Sequence, residues 1–136
     1  MKVLDQPIDL GKVTCDAYVL GGTTDHITPW QGCYRSLDLL GGNADYVLSS
    51  SGHVQAIVNP PTNPKAKFRT VSERQPNAEA FLAASDEHDG TWWLHWADWL
   101  LERSTQQKNA PKSVGSKANP PIAAAPGEYV LKRSSK

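Results

Sequence analysis

Two side chains in the first half of this 136-residue chain are suited to proton transfer, the carboxylate of Asp25 and the imidazole of His53. An imidazole gains and loses a proton near neutral pH. A carboxylate bonded to its other nitrogen fixes the tautomer and stabilises the imidazolium, so that the pair can activate a nucleophile for acyl transfer. The pair can work in this way only if the fold brings the two residues together.

The flanking segments predict two parallel strands. Val13–Leu20 is rich in β-forming apolar residues, which is typical of a strand buried on both faces, and Gly21 and Gly22 are expected to end it. Asp45–Ser49 is predicted to form the next strand. Two strands joined by a crossover helix in one sheet are almost always parallel, so the aspartate and the histidine should lie at the same edge. We therefore predict a hydrogen bond between them.

The segment between the two strands predicts an amphipathic crossover helix. Thr28 is expected to be its N-cap, with Pro29 at the first helical position and Gln31 completing a capping box. Apolar residues recur at helical spacing as far as Leu40, and the pair Gly41–Gly42 supplies the stop. The crossover helix is therefore predicted from Pro29 to Leu40.

A series of short motifs continues along the chain from about Ile8 onward. In order, they are DHITPW from Asp25, CYRS from Cys33, LSSSGHVQ from Leu48, NPP from Asn59, NPKA from Asn63, WWLHW from Trp92, ERS from Glu102 and APGEYV from Ala125. Together they resemble the C-terminal part of a polyhydroxyalkanoate (PHA) synthase of the medium-chain type.

The resemblance implies an α/β fold class, namely the C-terminal portion of an α/β-hydrolase fold. This portion would contain a parallel β-α-β unit, further helices and an extended tail. In the α/β-hydrolase order of nucleophile, acid and histidine, the resemblance assigns Asp25 as the acid and His53 as the histidine of a catalytic set completed by a cysteine.

The family's cysteine nucleophile lies upstream in a Gly-x-Cys-x-Gly elbow, and no such motif occurs in this chain. Cys15 is predicted inside the first strand and Cys33 in the middle of the crossover helix, both buried as reduced thiols. Neither position is a strand-to-helix elbow. The resemblance therefore implies the last portion of a synthase, as a gene fragment, a truncated homologue or an excised segment. This portion is expected to be inactive alone.

The activity implied for the parent family is that of an acyltransferase, a poly(3-hydroxyalkanoate) polymerase. It would join (R)-3-hydroxyacyl units from coenzyme A thioesters to a growing polyester and release coenzyme A, with no cofactor beyond the thioester substrate. The expected partners are that substrate and polyester, a second copy or the N-terminal portion of the synthase, and a PHA granule surface. The expected location is the cytoplasm or that granule surface. The alternative function is a non-catalytic truncated interaction module that associates with a full synthase or a granule.

The second half of the chain contains further predicted elements. They are a short turn or helix at Val54–Val58, a short helix at Asn77–Ala84, an acidic loop at Asp86–Asp89 and an amphipathic helix rich in tryptophan at Thr91–Arg103. Part of the indole surface of the last helix is expected to be exposed and to favour self-association. The basic run Lys65–Arg69 has two interpretations, a contact for coenzyme A phosphates or a solvated loop.

We predict a partial PHA synthase domain over residues 1–104 and an extended tail rich in Pro, Ala, Ser and Lys over residues 105–136. Tyr129 and Val130 are expected to form a short strand near its end. The formal net charge is zero, which gives no attraction to nucleic acid or an anionic membrane, and no segment has the length of a membrane span. His88 and His95 lack a set of metal-ligand partners, so a zinc site is not expected.

Overall fold

A computed structural model describes residues 2–133 of the chain. These residues form two compact units, one that ends at Arg103 and one that begins at Ser104. All of the described strands and α-helices lie in the first unit, and the second contains one 3₁₀ helix.

The first unit contains a four-stranded mixed sheet and a small hairpin. The strands are β1 (Lys2–Val3), β2 (Gln6–Pro7), β3 (Ala17–Gly22), β4 (Ala44–Ser49), β5 (Lys67–Thr70) and β6 (Asp86–Asp89). The hairpin pairs β1 with β2, and the sheet has the order β3-β4-β5-β6. β3 and β4 are parallel, while β5 and β6 are antiparallel to their neighbours. The predicted parallel pair is confirmed within a sheet of α/β character.

Short helices connect these strands. The α-helices are α1 (Trp30–Arg35), α2 (Gln55–Val58), α3 (Ala78–Ala84) and α4 (Trp93–Glu102), and the 3₁₀ helices are Leu10–Lys12, Ser36–Leu39 and Tyr129–Leu131. α3 has the predicted position, because the side chain of Asn77 accepts a hydrogen bond from the backbone N–H of Ala80 at 2.8 Å and caps the helix.

Apolar side chains cover the sheet on both faces. On one face, residues of β4 pack with α1, the following 3₁₀ turn and α3 around a cluster of Tyr34, Leu37, Tyr46, Leu48, Ala78 and Phe81. On the other face, Val47 and Phe68 pack against Trp92. Successive residues of β4 thus alternate between the two clusters, as the period of a strand requires. The sheet is a layer between helices, which is the arrangement expected of an α/β unit.

β3 ends at the predicted glycine pair, but Gly21 and Gly22 are its last residues, so the strand continues two residues past the predicted end at Leu20. A Cβ at Gly21 would collide with the hydroxyl oxygen of Tyr46, and one at Gly22 would crowd the Cβ of Ala56. The glycines therefore allow close packing at the end of the strand, where a side chain has no room.

The predicted start of this strand and the predicted burial of Cys15 are wrong, and the predicted burial of Cys33 is only partial. β3 begins at Ala17, because the carbonyl of Val13 accepts hydrogen bonds from the loop after the crossover helix and is held outside the sheet. Cys15 consequently lies before the strand and is exposed, while Cys33 is half-buried. The first four residues of β3 are also only half-buried, since this strand lies at an edge of the sheet.

The predicted cap of the crossover helix is wrong as well. α1 begins at Trp30, and its N-cap is Pro29, which makes no side-chain capping bond. The Thr28 hydroxyl donates instead to the carboxylate of Asp25. The single helix predicted as far as Leu40 is wrong too, because the α-helix ends at Arg35 and a 3₁₀ helix follows it. At this junction the hydroxyl of Ser36 donates to a carbonyl of α1.

The acidic segment predicted as a loop forms β6. Its residues have low strand propensity, but their partners across the sheet stabilise the pairing. Glu87 accepts hydrogen bonds from Lys67 at 2.6 Å and Arg69 at 3.0 Å, and the rings of Phe68 and His88 stack with centroids 4.9 Å apart. Contacts between distant residues therefore decide the conformation of this segment.

The tryptophan-rich helix is present as α4, but none of its residues is fully buried. Trp92, just before the helix, is 7% exposed, while the rings of Trp93, Trp96 and Trp99 are half-buried. Part of the indole surface is therefore accessible, as predicted. Within residues 2–133, no helix is long and apolar enough to span a bilayer.

The predicted strand at Tyr129 and Val130 is a 3₁₀ turn. The N–H of Leu131 bonds to the carbonyl of Glu128 at 3.1 Å, and the described part of the second unit contains no strand to pair with. The last residues of the predicted tail, 134–136, lie outside the described residues.

Phe81 is the best-buried large side chain, and we predict that Phe81→Ala lowers the free energy of unfolding by about 3–5 kcal/mol. Its ring contacts those of Trp30, Tyr34 and Tyr46, so truncation leaves a cavity that these rings cannot fill. Urea denaturation followed by tryptophan fluorescence measures the change. Leu82→Ala, on the same helix but exposed, is the control and should cost about 1 kcal/mol or less. An equal loss in both variants would contradict the described core.

Candidate active site

The loops that follow β3 and β4 lie side by side at one edge of the sheet. Because the strands are parallel, their carboxyl ends meet there. Backbone hydrogen bonds join the loops, from the N–H of Thr23 to the carbonyl of Ser49 at 2.9 Å and from the N–H of Thr24 to the carbonyl of Ser51 at 3.2 Å. These bonds fix the distance between the residues that follow each strand.

Asp25 and His53, 28 positions apart in sequence, make the predicted hydrogen bond at this edge. The Nδ1 atom of His53 lies 2.9 Å from Oδ2 of Asp25 and 3.1 Å from Oδ1. The aspartate side chain is 7% exposed and the histidine side chain 42% exposed. The carboxylate is thus enclosed, and the imidazole lies between it and solvent.

Asp25 is held by donors from its own loop as well. Its Oδ1 accepts the backbone N–H groups of Ile27 and Thr28, each at 2.9 Å, and its Oδ2 accepts the hydroxyl of Thr28 at 2.7 Å. Burial alone would raise the pKa of Asp25, but these hydrogen bonds, led by those from Thr28, outweigh it and hold the pKa well below its usual value of 3.8. The aspartate is therefore an anion at neutral pH.

An ionised carboxylate can only accept hydrogen bonds, so the Nδ1 atom of His53 must carry the proton between them. When the ring is neutral, its Nε2 atom then has a lone pair and can accept a proton from a nucleophile. This is the protonation state that a general base in acyl transfer requires.

The turn before His53 has a constrained backbone. Ser51 has a φ of +87°, a conformation that side chains rarely adopt, and its carbonyl is the acceptor for the loop after β3. The carbonyl of Gly52 accepts the N–H of Ala56 at 2.9 Å, and α2 starts at Gln55, two residues after the histidine. The histidine is therefore held between a tight turn and a helix.

Trp92 contacts α2 through a hydrogen bond that the sequence analysis did not predict. Its buried indole N–H donates to the carbonyl of Ala56 at 2.9 Å. Ala56 is itself 1% exposed, and its Cβ lies close to Gly22 at the end of β3. α2, and with it the position of His53, is fixed between Trp92 and β3.

Neither cysteine forms a hydrogen bond with His53 in the described residues. The thiol of Cys33 lies 3.9 Å from the carbonyl of Thr28. Burial, and then the negative charge of Asp25, raise the pKa of this thiol, which disfavours the nucleophilic thiolate. Cys15 is exposed and precedes β3, at the opposite end of that strand. The described residues thus hold an acid and a histidine without an activated cysteine.

The other candidate residues lie outside this pair. His26 is exposed. His88 bonds through Nε2 to the hydroxyl of Thr70 at 2.8 Å, and His95 through Nδ1 to the hydroxyl of Tyr18 at 2.9 Å. Burial lowers the pKa of His95. Among residues 2–133, no group of three or more His, Cys, Asp or Glu side chains is arranged to hold a metal ion.

The basic run does not form a free loop, so the solvated-loop interpretation is wrong for its second half. Lys67 and Arg69 lie in β5, and both bond to Glu87 on the neighbouring strand. The carboxylate raises the pKa of Lys67 through a hydrogen bond and its charge. Both cations therefore have a structural role, since each pairs with the carboxylate of Glu87 on β6.

Fold and site together define an α/β protein with a carboxylate–histidine pair at the shared end of two parallel strands. No family model matches the chain. It is 49% identical over 133 residues to the poly(3-hydroxyalkanoate) polymerase 1 of Ectopseudomonas oleovorans and 42% identical over 133 residues to the polymerase 2 of that organism. Each of these alignments covers 98% of this chain and 24% of the relative.

The poly(3-hydroxyalkanoate) polymerase subunit PhaC of Cupriavidus necator is 34% identical over 130 residues, which cover 96% of this chain and 22% of that relative. The chain is thus homologous, along nearly its whole length, to a segment of poly(3-hydroxyalkanoate) polymerases. It spans about a quarter of the length of the curated relatives that it matches.

The low pKa of Asp25 predicts how stability changes with pH. A carboxyl group whose pKa is depressed in the folded state stabilises the fold above its unfolded value of about 3.8, and this stabilisation is lost as the pH falls through the folded value. We therefore expect the wild type to exceed Asp25→Asn in free energy of unfolding at neutral pH, with a difference that shrinks below about pH 4.

Urea denaturation of both proteins across this pH range measures the difference. Asp98→Asn, which removes an exposed carboxylate on α4, is the matched control and should follow the wild type closely. A difference between wild type and Asp25→Asn that is the same at pH 7 and at pH 3 would contradict the description of this carboxylate.

Proposed function

We propose that this chain supplies the acid and the histidine of a poly(3-hydroxyalkanoate) polymerase active site, in which the nucleophilic cysteine comes from the rest of the enzyme. The observation that carries the proposal is the hydrogen bond between Asp25 and His53, made inside a chain that aligns over 98% of its length with such polymerases. In this proposal, β3 and β4 are the strands that precede the acid and the histidine in an α/β-hydrolase sheet.

The proposed reaction starts with proton transfer to Nε2 of His53. The thiol of the cysteine gives up this proton, and the thiolate attacks the thioester carbonyl of an (R)-3-hydroxyacyl-coenzyme A. Coenzyme A leaves as the thiol, taking the proton back from His53, and an acyl-enzyme remains. The Asp25 carboxylate stabilises the imidazolium while it carries the proton.

Chain growth uses the same base a second time. His53 accepts the proton of a 3-hydroxyl group as its oxygen attacks the thioester carbonyl of the growing chain. An ester bond forms, a thioester bond breaks, and the proton passes to the departing sulfur. The exposed position of the imidazole, 42% accessible beside an enclosed carboxylate, suits a base that must meet several reacting groups.

A chimeric polymerase tests this function. The chain replaces the matching 133 residues of the Ectopseudomonas oleovorans polymerase 1, and release of coenzyme A from 3-hydroxyacyl-coenzyme A is measured. We expect an active chimera in which His53→Ala and Asp25→Asn each lower kcat on the order of 10³–10⁴-fold, because the base or its tautomer is lost. The isolated chain should release no coenzyme A.

His26→Ala is the matched control for this experiment. His26 adjoins Asp25 in sequence and is exposed, so its loss should leave the chimera close to its parent activity. An active chimera that tolerates His53→Ala, or that depends equally on His26, would exclude the proposed roles.

A second candidate function is the interaction module, and the exposed face of α4 favours it. No residue of this helix is fully buried, and Leu94 and Leu101 are 69% and 50% exposed. Their spacing of seven places them on one helix face, which would bury apolar area against a second copy of the chain.

Sedimentation at increasing concentration tests this association. We expect oligomers in the wild type and a shift toward the monomer in the double variant Leu94→Ser/Leu101→Ser, since the apolar face is then polar. Val114→Ser, at an exposed valine in the second unit, is the control and should behave as the wild type. A wild type that stays monomeric at every concentration would exclude association with a second copy, and the interaction module would lose its main support.

A further inference from the structure

The hydroxyl of Thr28 donates a hydrogen bond to the carboxylate oxygen of Asp25 that lies closest to His53. Oδ2 accepts this hydroxyl at 2.7 Å and lies 2.9 Å from Nδ1 of the histidine. The backbone N–H groups of Ile27 and Thr28 donate hydrogen bonds to Oδ1. Thr28 thus contacts both oxygens of the carboxylate, one through its backbone and one through its side chain.

These contacts restrict a torsion that is otherwise soft. The terminal torsion of an aspartate side chain is broad, and rotation about it changes which oxygen lone pair faces a neighbour. Backbone donors on Oδ1 alone hold one oxygen and leave the plane of the carboxylate free to tilt. A donor on Oδ2 fixes the second oxygen, and the remaining acceptor direction of Oδ2 is then available to the histidine.

The same hydroxyl has no role at the nearby helix. Thr28 precedes Pro29, which is the N-cap of α1, and the first turn of α1 receives no side-chain capping bond. A threonine at this place would ordinarily be assigned to the helix start. Here the start of α1 has no side-chain capping bond, and the Thr28 hydroxyl donates to the Asp25 carboxylate.

We propose that Thr28 is a positioning residue, which orients the Asp25 carboxylate and thereby keeps the proton of neutral His53 on Nδ1. The consequence for catalysis rests on the proposed function, because it concerns the freedom of Nε2 to act as the base. The positioning itself is a property of this chain and is measured without any activity.

The test is ¹⁵N NMR of the His53 ring in the full 136-residue chain at a pH where the ring is neutral. In the wild type, Nδ1 carries the proton. Thr28→Val keeps the shape and the backbone N–H but removes the hydroxyl, and it should shift the tautomer ratio toward protonated Nε2 by several-fold, up to about tenfold. Thr28→Ala should do the same, while Thr28→Ser retains a hydroxyl and should restore the wild-type ratio.

Thr23→Val is the matched control, since it removes an exposed threonine hydroxyl from the same loop and should leave the ratio unchanged. A lost structural contact would change the melting temperature of a variant without changing its tautomer ratio. If Thr28→Val and Thr28→Ala are folded and have the wild-type ratio, the positioning role is excluded. The same holds if Thr28→Ser shifts the ratio as far as Thr28→Val does.

The chimeric polymerase separates this inference from the proposed function. An inactive chimera together with a tautomer shift in Thr28→Val would overturn the proposed function and support the positioning role. An active chimera whose kcat and pH profile are unaffected by Thr28→Val would support the function and overturn the consequence of Thr28 for catalysis. If both are correct, Thr28→Val lowers kcat more than it changes KM, and Thr28→Ser restores it.

Discussion

The parallel pairing of β3 with β4 is the constraint on which the site depends. Residues 28 positions apart can form a hydrogen bond only if the two strand ends meet, and the parallel register aligns Gly22 with Ser49 at the shared edge. Two backbone hydrogen bonds then hold the loop after β3 beside the loop after β4. Gly22 allows the approach, because a Cβ there would press on the loop and on α2. The positions of the acid and the histidine follow from this packing.

Enclosing the Asp25 carboxylate imposes a second requirement, since a buried charge must be hydrogen-bonded. The loop meets it with N–H groups two and three residues further along, which is the turn that short acidic side chains commonly form. A local turn residue and a catalytic acid are therefore not competing assignments for Asp25. The donors that satisfy its charge also lower its pKa, and an anionic partner is what determines the tautomer of His53.

The features predicted from sequence are those that depend on local pattern. The parallel strands, the helix capped by Asn77 and the contact between Asp25 and His53 follow from periodicity, capping residues and the handedness of crossovers. The missed features depend on distant partners: β6 requires the cations of β5, and Trp92 reaches the carbonyl of Ala56 across 36 positions. The sequence predicts that the Thr28 oxygen accepts a backbone N–H at the helix start, whereas its hydroxyl donates to Asp25, because capping statistics do not include a charged carboxylate three residues upstream.

The burial of β3 also bears on the proposal that this unit works within a larger polymerase. The segment from Ala17 to Leu20 is apolar on both sides, a composition typical of a central strand, yet it lies at an edge and is half-buried. α4 is also incompletely covered. Its tryptophans pack on this narrow sheet, but no residue of the helix is fully buried. Both elements have more apolar surface than the first unit covers. A wider sheet beyond β3 would cover the open edge of this strand, and a further parallel strand there would end at the edge where Asp25 and His53 already meet.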